Sequence, residues 1–131
     1  DGYAIKSLDN YQNKIFNGIF DGRGHTIVGL KESLFSTIGT TGVVKDVQLI
    51  GINNTDKATA CSLAYVNNGT IDKVQISATL KGSSYTAGMV ANNAGTIQNS
   101  IVVSDMSGAD SATAYAIANN STGSIVNSYN K

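Results

Sequence analysis

The chain has no proline and no tryptophan, and only one cysteine, one histidine and one arginine among its 131 residues. Each scarcity removes a class of explanation. Without proline, every residue can donate a backbone N–H, which suits strands paired on both sides. A lone cysteine, Cys61, forms no internal disulfide, and redox or Cys-based metal chemistry is not expected of it. With one histidine, His25, there is no Cys/His cluster of the kind that builds a zinc site. Charged residues make up 14% of the chain, against about a quarter in typical domains. Nine bases and nine acids cancel to zero net charge. That balance offers no basic face to nucleic acid and no electrostatic anchor for a membrane surface. No apolar run approaches the roughly 18 residues of a membrane span, and no stretch reads as a signal peptide. The chain opens on Asp1 rather than Met, which reads as a mature, processed or excised piece.

Small polar residues and 14 glycines fill the space left by charge. They are arranged in a repeat. The segments GVVKDVQLIG from Gly42, GTIDKVQISA from Gly69, GTIQNSIVVS from Gly95 and GSIVNSYNK from Gly123 are copies of one another. Their lead glycines lie 27, 26 and 28 residues apart. Upstream of the last three stand SLAYVNN, AGMVANN and AYAIANN, each ending in an Asn pair, with LFSTIGTTG as the first copy. A meander of hairpins repeats about every 8 to 12 residues. A period near 27 fits instead one coil of a parallel β-helix, three short strands and three turns. The expected fold is therefore all-β, a single solenoid over residues 1–131. It divides into an N-terminal coil, 1–32, and repeats at about 33–60, 61–86, 87–112 and 113–131, about five coils in all.

Stacked coils place equivalent residues about 4.8 Å apart. The repeat predicts four inward columns: Val44, Ile71, Ile97, Ile125; Leu49, Ile76, Val102; Ile38, Val66, Ala91, Ala118; and Val47, Val74, Ser100, Ser128. It also sets Lys45 beside Asp72 and Asp46 beside Lys73, two attractive cross-coil pairs. Glycines are expected at corners that need positive φ.

The stretch IFNGIFDGRGHTIVGL from Ile15, followed by LFSTIGTTGVVKDVQLIG from Leu34, resembles the GLUG-motif repeats of bacterial surface proteins, which also occur beside IgA-specific metallopeptidases. Asn99 in GTIQNS and Asn127 in GSIVNS stand at the family's Asn position, whereas Ser36 replaces the glycine usual after Leu-Phe. The resemblance runs from about Ala4 to Asn130. It implies a right-handed parallel β-helix, secretion, and a role on or outside a bacterial cell.

Candidate chemistry is sparse. His25 reads as a turn position within DGRGHTI, and no H-E-x-x-H helix of a metallopeptidase is present. Asp21 and Arg23 are the pair nearest to the carboxylate clusters of polysaccharide-cleaving β-helices. Beyond them, Asp9, Glu32, Asp46, Asp56, Asp72, Asp105 and Asp110 are scattered. Cys61 is expected as a small buried hydrophobe. Asn53, Asn68 and Asn120 match glycosylation acceptors by coincidence of composition. Tyr3, Tyr11, Tyr65, Tyr85, Tyr115 and Tyr129 form no single column for a sugar platform. No catalytic, cofactor or metal residue is assigned. The expected role is a non-enzymatic structural or adhesive module outside a bacterial cell, with a host glycan or matrix protein as partner. The alternative is a carbohydrate-active or carbohydrate-binding β-helix. Open ends of such a stack leave two readings: the piece is cut from a longer solenoid, or copies pair head to tail, SIVNSY against YAIKSL, and build a filament.

Overall fold

The computed structural model describes residues 14–107, 109 and 113–131. The first coil holds β1 (Ile15–Phe16), β2 (Ile19–Asp21) and β3 (Thr26–Val28). The second holds β4 (Phe35–Ile38), β5 (Val43–Asn54) and β6 (Thr59–Ala60). The third holds β7 (Ala64–Asn67), β8 (Thr70–Leu80) and β9 (Tyr85–Ala87). The fourth holds β10 (Val90–Asn93), β11 (Thr96–Gln98), β12 (Ile101–Asp105) and β13 (Ala114–Tyr115). The last holds β14 (Ala118–Ser121), β15 (Ser124–Val126) and β16 (Tyr129–Asn130). Equivalent strands stack into three sheets: β1-β4-β7-β10-β14, an eight-stranded sheet centred on β5 and β8, and β13-β9-β6. Every strand pairing is parallel. The result is a parallel β-helix of about four turns, since among the described residues the first and last of these five coils have no strand in the third sheet. Residues 1–13, with the YAIKSL segment expected to pair with the other end, lie outside the described residues.

Three of the four expected columns are present. Val44, Ile71, Ile97 and Ile125 are register partners, with Phe20 extending the column into the first coil. Ile27, Leu49, Ile76 and Val102 form the second, which ends on Asn130. Val47 pairs with Val74. Below it the strand breaks, and serine takes over the ladder: Val74 N donates to Ser100 Oγ at 3.1 Å, and Ser100 N to Ser128 Oγ at 3.0 Å. The fully buried aliphatics of these columns contribute roughly 1.5–3 kcal/mol each. Phe16, Phe20 and Phe35 close the first coils, with Phe35 5.0 Å from Phe16 and 5.7 Å from Phe20 between ring centroids.

The column of Ile38, Val66, Ala91 and Ala118 is not formed. Ile38 pairs with Asn67, Asn67 with Asn93, and Asn93 with Ser121. Val66 pairs with Thr37 and Asn92, and Ala118 with Val90. From the third coil on, the register is set by distance to the lead glycine, not by the Asn pair; Ile38, which stands four residues before Gly42, is the exception. Asn67, Asn93 and Ser121 each lie two residues before that glycine. Asn67 Oδ1 accepts from Gly69 N at 3.1 Å, while its Nδ2 donates to Asn93 Oδ1 at 2.8 Å. Asn93 Nδ2 donates onward to Ser121 Oγ at 3.2 Å. Two buried amides are thus satisfied by a ladder along the core, as buried polar groups must be.

The lead glycines are also not where positive φ occurs. They are required by close approach. A Cβ on Gly69 would lie 2.2 Å from Gly42 O, one on Gly95 2.1 Å from Gly69 O, and one on Gly123 2.1 Å from Gly95 O. Those same carbonyls accept from Thr70, Thr96 and Ser124 N in the next coil.

Candidate functional site

The segment that most resembled a catalytic block is a corner. Asp21 ends β2, and its Oδ1 accepts from Arg23 N at 3.0 Å. Arg23 and Gly24 take φ of 49° and 75°, and His25 N closes the turn onto Gly22 O at 2.8 Å. Gln48 N then donates to His25 O, and Gly24 N to Asp46 O, tying the turn to the second coil. Asp21 Oδ2 lies 3.5 Å from Lys45 Nζ. The Arg23 backbone N–H, followed by the Lys45 charge, holds the Asp21 carboxyl below its ordinary range. Its oxygens are committed to the turn and to Lys45. His25 is exposed and serves the corner through its backbone.

The ion pair from Lys45 corrects one expectation. Lys45 is the register partner of both Asp21 and Asp72, and it closes on Asp21. Asp72 Oδ1 accepts instead from Asn99 Nδ2 at 2.8 Å. Neither Lys45–Asp72 nor Asp46–Lys73 comes within 4 Å; among the described residues the second ion pair is Lys57–Glu32. Asp46 and Lys73 sit on the corner itself. Arg23, Asp46, Lys73, Asn99 and Asn127 all take left-handed backbone, with φ between 48° and 53°. Each of the last four lies four residues after its lead glycine. The chain turns there, leaving Arg23, Lys73, Asn99 and Asn127 exposed and Asp46 half-buried. Asn tolerates this conformation best, and Asn127 Nδ2 reaches Asn99 Oδ1 at 2.8 Å to make a second, exposed amide ladder.

Cys61 is fully buried beside Ala87 and Ala91, under Tyr65 and Tyr115. Burial pushes its thiol up to about 12, and its Sγ–H donates to Ala64 O at 3.2 Å. A thiol so held is unreactive at neutral pH. Tyr85 and Tyr129 are exposed and lie on different faces, in β9 and β16. Of the matched glycosylation acceptors, Asn53 and Asn120 are exposed and Asn68 is half-buried. Among the described residues, no three His, Cys, Asp or Glu side chains gather to hold a metal, and no helix is long and apolar enough to cross a membrane.

The outward face of β5, β8 and β12 is the surface that sequence reasoning missed. One column runs Thr26, Gln48, Gln75, Ile101, Tyr129; the next runs Val28, Ile50, Ser77, Val103. A shallow depression of about 170 Å³ lies between Gln48, Ile50, Gln75, Ser77, Ile101 and Val103. It continues toward the Asp46, Lys73, Asn99 corner on one side and toward Gly51, Thr79 and Asp105 on the other. Gly51, at φ 64°, is the bulge that shifts the β5–β8 register between Ile50 and Ile52. The corner and the bulge delimit the strip. Comparison of the chain with protein-family models, curated proteins and solved structures finds no match.

Proposed function

We propose that the chain is a non-enzymatic module of an extracellular bacterial surface protein, a stiff spacer that presents neutral polar ladders to a partner. The observation that carries this reading is the repetition of the same bonds from coil to coil. The glycine ladder, the Asn67–Asn93–Ser121 ladder with its two buried amides and the outer Asn99–Asn127 ladder hold successive coils in one register. Such a prism keeps its faces fixed, which is what a spacer or adhesive surface requires. The low charge and the resemblance to GLUG repeats support an extracellular setting. The Asp21 carboxyl, held down and engaged by Lys45, is the reverse of the raised acid that glycoside cleavage needs.

The test is adhesion. Beads coated with the chain should bind saturably to one or more extracellular-matrix proteins or host-cell glycans. Silence across matrix proteins and glycan arrays would contradict the adhesive half of the reading and leave a spacer. Release of reducing ends from a polysaccharide, lost in Asp21→Asn or Arg23→Ala, would replace it with a carbohydrate-active enzyme.

A further inference from the structure

We propose that the outward face of the second sheet, between the Asp46–Lys73–Asn99 corner and the Gly51 bulge, binds a neutral, hydroxyl-rich glycan chain. The proposal rests on the adhesive reading and names its ligand class. The strip alternates two kinds of group. Gln48 and Gln75 are stacked neighbours whose carboxamides each offer a donor and an acceptor side by side. That pairing matches two adjacent sugar hydroxyls. Ile50 and Val103 are 42% and 46% exposed, and they flank Ser77 in the adjoining column. They give the C–H face of a sugar ring an apolar floor. Tyr129, 55% exposed, ends the Gln column beyond Ile101 and adds a ring with a polar tip.

Charge selects the occupant. The six residues that frame the central depression, Gln48, Ile50, Gln75, Ser77, Ile101 and Val103, are all uncharged. Asp46 and Lys73 at one border cancel, and Asp105 stands at the other. The Asp105 carboxyl is held below its ordinary range by the Ser107 backbone N–H, so it stays ionised and repels a polyanion. A protein partner fits less well. Protein interfaces concentrate binding in aromatic and Arg anchors set in deep, dry pockets. Here the aliphatics are separated by amides and a hydroxyl, and the depression is shallow. Cross-coil neighbours lie about 4.8 Å apart, so one glycan chain can meet Gln48 and Gln75 on successive coils.

The experiment is affinity electrophoresis, followed by calorimetry, of the intact chain with β-glucan, mannan, galactan and xylan, and with polygalacturonate as the acidic control. Retardation by at least one neutral polysaccharide is expected. The double variant Gln48→Ala/Gln75→Ala should weaken it at least tenfold, whereas Asn92→Ala on the outward face of the first sheet should leave it unchanged. Circular dichroism of each variant establishes that the fold is intact. Three results would each overturn the proposal. One is no retardation by any neutral polysaccharide. Another is retardation indifferent to the glutamines. The third is sedimentation showing self-association through this face, abolished by Ile50→Ser. Where the first of these comes with adhesion to a matrix protein that survives in the double variant, the glycan face falls and the adhesive module stands.

Discussion

The first three coils and the last two are held together by different means. In the early coils the interior is Phe16, Phe20 and Phe35 over Val44, Val47, Leu49 and Ile52, and the outer corner carries the Asp21–Lys45 ion pair. Further along, three of the columns turn to hydrogen-bonding groups, one already at Asn67 in the third coil and the others in the last two. Val74 gives way to Ser100 and Ser128, Ile38 to Asn67, Asn93 and Ser121, and Val102 to Asn130. Asn130 exchanges bonds with Ser104 at 3.0 and 3.3 Å. A solenoid thus asks only that each residue suit the residue one coil away. A column can change chemistry part-way, provided its neighbours change with it. The exchange carries a cost. A buried aliphatic contributes roughly 1.5–3 kcal/mol, a net hydrogen bond about 0.5–1.5 kcal/mol. Stability should therefore decline from the β5–β8 region toward β15 and β16.

The glycine ladder is common to both regions, and breaking it should have the largest effect. Gly95→Ala drives a Cβ into Gly69 O and Asn68 C at the junction of the two regions. It should destabilise by more than about 3 kcal/mol and detach the last two coils in hydrogen exchange. Gly24→Ala is the contrast. Nothing lies within 4 Å of its Cβ, and its φ of 75° alone opposes alanine, at about 1–2 kcal/mol.

The aliphatic column gives the second comparison. Ile71 is fully buried between Val44 and Ile97, and Ile71→Ala should lose roughly 3 kcal/mol in urea denaturation. Ile125 occupies the same column in the last coil at 38% exposure, and its alanine variant should lose about 1 kcal/mol. Equal losses would contradict a graded stack. In the polar region, Asn93→Ala leaves Asn67 Nδ2 without its 2.8 Å partner in a buried setting, a loss of about 1–3 kcal/mol.

The smallest effect is in pH. The folded-state pKa of Cys61, about 12, stands above the ordinary 9.0. The stability this contributes is complete below pH 9 and is lost as pH rises from 9 toward 12, because the unfolded chain releases its proton first. Tyr65, also raised by burial, adds the same trend only above its ordinary 10.0. Between pH 9 and 10 the decline should be flattened by Cys61→Ala; an unchanged slope would place the thiol in water.

The period, the sheets and three of four columns were legible because the lead glycine marks the same backbone position in every coil. The remaining column was misread for a physical reason. The Asn pair is conspicuous, but the residue in the ladder is the one two positions before the glycine, whose side chain bonds that glycine's backbone. That is the first Asn of its pair at Asn67, the second at Asn93, and an exposed serine at Ser121. The left-handed corner was equally hidden, since Lys73 is a poor former of that conformation and breaks the run of Asp46, Asn99 and Asn127 that would advertise it. The Lys45–Asp72 pair failed because Lys45 closes on Asp21 in the coil before, and Asp72 takes the Asn99 amide in the coil after. The Gln48–Gln75 face left no signal beyond the alternation of VQLIG and VQIS, and the bulge at Gly51 that bounds it is visible only in the pairing.

The central claim is that register follows the glycine, with a buried amide ladder two residues before it. Side-chain amide NMR of the labelled chain tests it most directly. The account predicts cross-coil contacts from the Asn67 carboxamide to Asn93 and from Asn93 to Ser121, with both amides slow to exchange. Contacts from Asn67 to Asn92 and from Asn92 to Asn119, with fast exchange at Asn93, would contradict it.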